Sequence, residues 1–227
     1  MSRRVNLALL ALVALLVGCG TSDNGVATKT AQEILSATRA AAEEASSVHV
    51  ASRSTFANTS LILDARLAKA TGEAHASLLG ITVEAIRSGG TLYVRGNRAF
   101  SRNLEHTLGV RVPAGRWLKG PTSGALEQAA SFVEFNRELP VALGGSGKAT
   151  KGAVTKVAGH SAIEVIQAHE LSKATLYVST TGEPYPLKLI NRGRESGRTT
   201  FTEWNDPVHV DPPAHAIDIS QLPKAGG

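Results

Sequence analysis

The sequence predicts an α+β domain, a mostly antiparallel sheet packed on a few helices. Two observations predict it. One amphipathic helical segment, Lys29 to Ser47, precedes a long series of segments in which apolar residues recur at every second position. Gly or Asn residues stand between those segments, where positive φ is easily adopted. A third observation bounds the fold: the chain has 1 Cys, so no internal disulfide can hold it and the core must carry the stability.

The helix comes first. Ile34, Leu35, Thr38, Ala41, Ala42 and Ala45 form one stripe, and Glu33, Arg39, Glu43 and Glu44 fall mostly off it. A stripe so rich in alanine lets a helix lie close to a sheet. After Ser47 the period drops to two: Val48, Val50, Ser52, Ser54 and Phe56 alternate with His49, Ala51, Arg53 and Thr55. Beyond a turn at Asn58, Leu61, Leu63, Ala65 and Leu67 alternate with Ile62, Asp64 and Arg66. Further strands are expected at Gly72 to Leu78, Ile81 to Arg87 and Thr91 to Arg95, joined as a meander.

The middle of the chain is less regular. Asn97 to Leu108 reads as a short helix with a loop, and Val110 to Lys119 carries Pro113 and Trp117 without a clear period. Leu126 to Leu139 reads as a second amphipathic helix, with Leu126, Ala129, Ala130, Val133 and Leu139 on a broad face and Pro140 helping to stop it. Gly144 to Gly147 reads as a flexible turn. Strands are then expected near Ala149 to Val157, Ser161 to Gln167, Ala174 to Ser179, Leu187 to Asn191 and Thr199 to Trp204. The proline-rich end, with Ile217, Ile219 and Leu222, reads as an edge strand and a docking tail.

The N-terminus addresses the protein to a membrane. Arg3 and Arg4 form a basic start, and Val5 to Val17 is a charge-free stretch dominated by Leu, Ala and Val, too short to span a bilayer comfortably. This pattern reads as a signal peptide. It ends in Leu16-Val17-Gly18-Cys19, which resembles the bacterial lipobox. The resemblance implies cleavage between Gly18 and Cys19 and a diacylglyceryl thioether on Cys19. Two or more acyl chains give stable anchoring where one is marginal. The expected organisation is a signal peptide over 1–18, a lipid-anchored tether over 19–30, one domain over 31–223 and a tail over 224–227.

Composition narrows the partners. Arg3 and Arg4 leave with the signal, so the net charge of +5 falls by two. The remaining charges are scattered, with no dense Lys/Arg block of the kind that tracks a phosphate backbone, so no nucleic-acid partner is expected. Arg192, Arg194 and Arg198 are read as facing water, with a lipid headgroup as the alternative.

Enzyme signatures are poor. Gly159-His-Ser-Ala-Ile163 and Gly144-Gly-Ser-Gly-Lys148 each miss a glycine of a nucleophile elbow, and Gly147-Lys148 lacks the frame of a phosphate loop. The 7 histidines are dispersed without metal-ligand spacing, and His209 and His215 could meet a metal only if the Pro212-Pro213 bend folded them together around Asp211. No catalytic residue, metal or cofactor is assigned.

A longer set of motifs points to a family. Gly159-His160 leads into a strand, followed by Ala174-Thr-Leu-Tyr-Val178, then Thr181-Gly-Glu-Pro-Tyr-Pro-Leu-Lys-Leu189, then Phe201-Thr-Glu-Trp-Asn-Asp-Pro207. Their order, joined to the lipobox and the helix-then-strands layout, resembles the LppX/LprG-type envelope lipoproteins over Ala31 to Leu222. The resemblance implies a LolA-like half-barrel: a strongly curved antiparallel sheet, open on one side, wrapped over helices around an apolar cavity. It also implies the binding or transport of lipids or lipid-linked molecules at the extracytoplasmic face of the cell envelope.

A cavity has support of its own. A curved sheet of about ten strands with few large side chains either closes on itself or leaves internal volume, and aromatic residues make up only 4% of this chain. Leu61, Leu63, Leu78, Val83, Leu92, Val94, Ile163, Val165, Leu176, Val178, Leu189 and Phe201 are the strand positions that could line it. The same residues also suit a filled core, because alternation names a face without saying what covers it. A filled core would fit a structural or regulatory envelope lipoprotein that docks a protein partner and holds no ligand.

Overall fold

Among the described residues twelve strands form one sheet, built from two antiparallel meanders and a short addition at one edge. The computed structural model describes residues 23–135, 148–169 and 171–224. Cys19 with its cleavage partner Gly18, the end of the expected second helix at Leu139 and the turn at Gly144 to Gly147 lie outside them.

The first meander is β1 (Ser47–Phe56), β2 (Thr59–Ala68), β3 (Thr71–Leu78), β4 (Ile81–Ser88) and β5 (Thr91–Gly96). The second is β7 (Ala149–Val157), β8 (His160–His169), β9 (Ser172–Ser179), β10 (Pro186–Gly193) and β11 (Glu195–Thr202). They join through β1 and β11, antiparallel, with Val50 opposite Phe201 and Ser52 opposite Thr199. The sheet is curved and unclosed. A short strand, β6 (Leu118–Pro121), extends it beyond β5, and β12 (Ile217–Asp218) pairs with β6 in parallel as the predicted edge strand, which gives the order β12-β6-β5-β4-β3-β2-β1-β11-β10-β9-β8-β7.

Helix α1 (Ala31–Glu44) forms where the alanine stripe predicts it. Thr30 and Glu33 make a capping box. The Thr30 hydroxyl accepts the Glu33 N–H at 3.4 Å, and the Glu33 carboxylate accepts the Thr30 N–H at 2.8 Å. The buried face is Ala31, Ile34, Leu35, Thr38, Ala41 and Ala42, and it packs on β7 and β8. Thr38 lies at the centre of this face and donates to the Ile34 carbonyl at 2.8 Å, which satisfies its hydroxyl without a partner from the sheet. Helix α2 (Arg98–Leu108) is capped by the Asn97 side chain, which accepts the Phe100 N–H at 3.0 Å, and it ends at Gly109 in the left-handed conformation.

Two expectations are corrected. The predicted second helix is broken: α3 (Glu127–Ser131) stops after five residues, and Phe135 is again helical. The chain then turns, with the Val133 N–H donating to the Ala130 carbonyl at 3.0 Å, so that Val133 and Phe135 both enter the core. The expected tether is also shorter. Asn24 donates to the Ser179 carbonyl at 3.1 Å and the Gly182 carbonyl at 2.9 Å, and Val26 is buried, so residues 23–30 are docked on the domain.

The motifs that carry the family resemblance meet at one end of the sheet. The Trp204 ring stacks on Tyr185 with centroids 4.4 Å apart, and its indole N–H donates to the Pro186 carbonyl at 3.2 Å. Asn205 accepts the Ser46 N–H at 2.8 Å and donates to the Tyr185 hydroxyl at 2.7 Å. This closes the β9–β10 connection over the start of β1.

Candidate functional site

The concave face of the sheet changes character along its central strands. On β1 the inward side chains run Val48, Val50, Ser52, Ser54, and on β11, read in the opposite direction, Phe201, Thr199, Gly197. Both sets shrink toward the same end. The lower half, with Val48, Val50, Ala65, Leu67 and Phe201, is buried in one core cluster with α1 and the residues around α3. The upper half is left open.

The opening is a groove of about 610 Å³. Ser52, Ser54, Thr199 and Asn191 supply polar floor and wall, and Val50, Phe56, Leu61, Leu63, Leu78, Leu79 and Leu189 supply the apolar lining. The register sets these residues side by side: Leu189 faces Thr199, Thr199 faces Ser52, Ser52 faces Leu63, and Ser54 faces Leu61. Ser52 and Thr199 share one hydrogen bond across the strands at 2.9 Å. Glu195 stands at the mouth. The volume lies within the range that small-molecule sites occupy.

The outer face carries charge instead. His49 contacts Asp64 at 3.0 Å and Glu203 at 3.5 Å, and Arg66 pairs with Glu203 at 3.2 Å and Glu73 at 3.6 Å. The hydrogen bond to Glu203 holds the Arg66 guanidinium above its ordinary value. These pairs are largely exposed, and such surface pairs contribute little to stability. Among the described residues no group of three His, Cys, Asp or Glu side chains could hold a metal ion. Among them, too, no helix is long and apolar enough to cross a membrane.

The architecture superposes on LprF from Mycobacterium bovis with a TM-score of 0.54 at 15% identity, covering 82% of this chain and 97% of that one. The chain has an LppX/LprG-type fold. The lipoprotein LppX of Mycobacterium tuberculosis is also similar, at a TM-score of 0.49 and 17% identity over 84% of this chain and 100% of that one. No protein-family profile and no curated protein matches the chain. At these identities the likeness speaks for the fold alone.

Within this LppX/LprG-type half-barrel the predicted cavity residues divide into groups. Leu61, Leu63, Leu78 and Leu189 line the groove. Val83 lines a separate depression of about 530 Å³ beside Glu84, Arg95 and Asn97. Leu92, Val94, Ile163, Val165, Leu176, Val178 and Phe201 are buried in the core cluster. Alternation assigned all of them to one face, and the helices divide that face into a covered half and an open half. The groove residues missed from sequence are Val50, Ser52, Ser54, Thr55, Phe56, Thr59, Leu79, Asn191, Glu195 and Thr199. The available signal was the run of small side chains at every second position of β1.

Proposed function

We propose that this chain is a lipid-anchored envelope lipoprotein that binds or carries lipids or lipid-linked molecules in the groove at the open end of its half-barrel. The observation that carries the reading is the concave face itself, covered by helices below Val50 and Phe201 and open above them with Leu61, Leu63 and Leu189 around the floor. Each methylene that an acyl chain withdraws from water there contributes about 0.8 kcal/mol. Polar contacts are few and small, so selectivity rests on chain length and shape more than on a head group. Anchoring through Cys19 follows from the lipobox and places the domain at the extracytoplasmic face of the cell membrane.

Organic extraction of the purified protein, followed by mass spectrometry, tests the reading. The expected result is stoichiometric bound lipid that a fluorescent fatty acid displaces. A protein that yields no lipid and binds no fluorescent probe overturns it and leaves the alternative, a lipoprotein that docks a protein partner.

A further inference from the structure

We propose that the hairpin tips around the groove mouth form a docking surface for an anionic bilayer, and that an anchored molecule turns this surface away from its own membrane. Four large apolar side chains stand exposed at that end: Leu78 at 38%, Phe56 at 45%, Leu171 at 69% and Leu79 at 73%. They lie in or beside three different hairpin turns, after β1, before β9 and after β3, and the strand directions bring all three turns to one end of the sheet. Lys173, Arg192 and Arg194 are exposed among them, with Glu195 as the acid of the mouth among the described residues.

The rim is continuous from its outer turn to its centre. The Arg194 N–H donates to the Leu171 carbonyl at 3.0 Å, and the Arg194 guanidinium lies 5.5 Å from the centre of the Phe56 ring. Leu78, adjoining Leu79, faces Leu61 across β2 and β3 at the groove edge. Exposed apolar tips interleaved with cations match the boundary of an anionic bilayer, where apolar groups enter the acyl layer and basic groups meet the head groups. A protein partner would more commonly meet one contiguous apolar patch with charge depleted from its centre.

The chain start sets the orientation. Asp23 bridges to Thr181, which follows β9 at the end of the sheet opposite the tips. Three residues lie between Cys19 and Asp23, and the four steps from one to the other reach about 14 Å when extended. Strands of ten residues such as β1 run about 33 Å. An anchor at Cys19 therefore cannot reach a bilayer on which the rim sits end-on. The rim faces a second surface, and this orientation rests on the lipidation proposed above.

The test reconstitutes the acylated protein into immobilised phosphatidylcholine vesicles and offers acceptor vesicles of phosphatidylcholine alone or mixed with phosphatidylglycerol. Capture of the phosphatidylglycerol acceptors is expected, weakening as salt is raised. Arg192→Glu with Arg194→Glu should reduce capture by about tenfold or more, and Leu79→Ser with Leu171→Ser should reduce it with melting temperature unchanged. If the wild type carries no acyl group, the same acceptors are mixed with it directly and flotation replaces capture. Equal capture of both acceptors, no capture, or capture indifferent to both double variants overturns the proposal. Lipid extraction from the same preparations separates the two readings: bound lipid without capture removes the rim and spares the carrier, and capture without bound lipid does the reverse.

Discussion

Ser52 and Thr199 face each other from β1 and β11 with their hydroxyl oxygens 2.9 Å apart, one row above the buried pair of Val50 and Phe201. One hydroxyl donates and the other accepts, so part of the polarity of the groove floor is met within the protein. Removing one partner leaves the other half-buried and unpaired, whereas removing both does not. Ser52→Ala and Thr199→Val singly should each cost about 1 kcal/mol, and the double variant less than the sum of the two. Thermal melts of the four proteins check the cycle. Strict additivity would mean that the two hydroxyls act independently.

Ser54 lies opposite Leu61 on one side and Gly197 on the other, at the open end of the floor. Ser54→Trp should fill the groove and abolish lipid retention, with a stability change below about 1 kcal/mol because the ring enters space already open. Leu176→Trp enters the packed cluster and should cost about 1–3 kcal/mol. Phe201→Ala should cost about 3–5 kcal/mol. Lipid extraction beside denaturant melts reads both quantities. Ser54→Trp protein that keeps its full lipid complement would show that the ligand sits elsewhere.

The capping box of α1 ties part of the stability to pH. Hydrogen bonds from the Thr30 backbone N–H and then its hydroxyl hold the Glu33 carboxyl below its ordinary value of 4.5. A depressed folded value means that this contribution is present above 4.5 and is lost as pH falls through the lower folded value. Thr30→Ala should lower Tm by about 2–4 °C at neutral pH. The gap between variant and wild type should narrow in acid. A gap that is constant from neutral pH to acid would show that the bond from the Thr30 hydroxyl to the carboxylate plays no part.

Cys19 carries the anchor prediction. Cys19→Ala should remove the acyl mass and shift the protein from the detergent phase to the aqueous phase, while the melting temperature stays unchanged, because the docked chain begins at Asp23 and Asn24. Intact mass and detergent partitioning check it. A wild-type protein without an acyl increment would end the lipoprotein reading.

Much of the fold was legible locally. The alternation in Val48 to Phe56 and Leu61 to Leu67 named both the strands and their inward residues, and the alanine stripe named the face of α1. The short β6 was missed because its four residues, Leu118–Pro121, are too few to show a period. The end of α3 was missed because Val133 and Phe135 turn into the core through contacts distant in sequence, which outweigh the helical pattern.

By itself the sequence determined which side of each strand is apolar, since a period of two is a property of neighbouring residues. It likewise determined that small side chains follow Val50 along β1. Only the tertiary structure decided that β1 pairs with β11, which lines Ser52, Thr199 and Gly197 up into one floor. It alone decided that helices cover the half of the face around Phe201 and leave the half around Leu61 open. The physical reason is that burial depends on what arrives from elsewhere in the chain. A side chain's place on a strand sets the direction in which it points, and long-range packing decides whether protein, water or ligand meets it there.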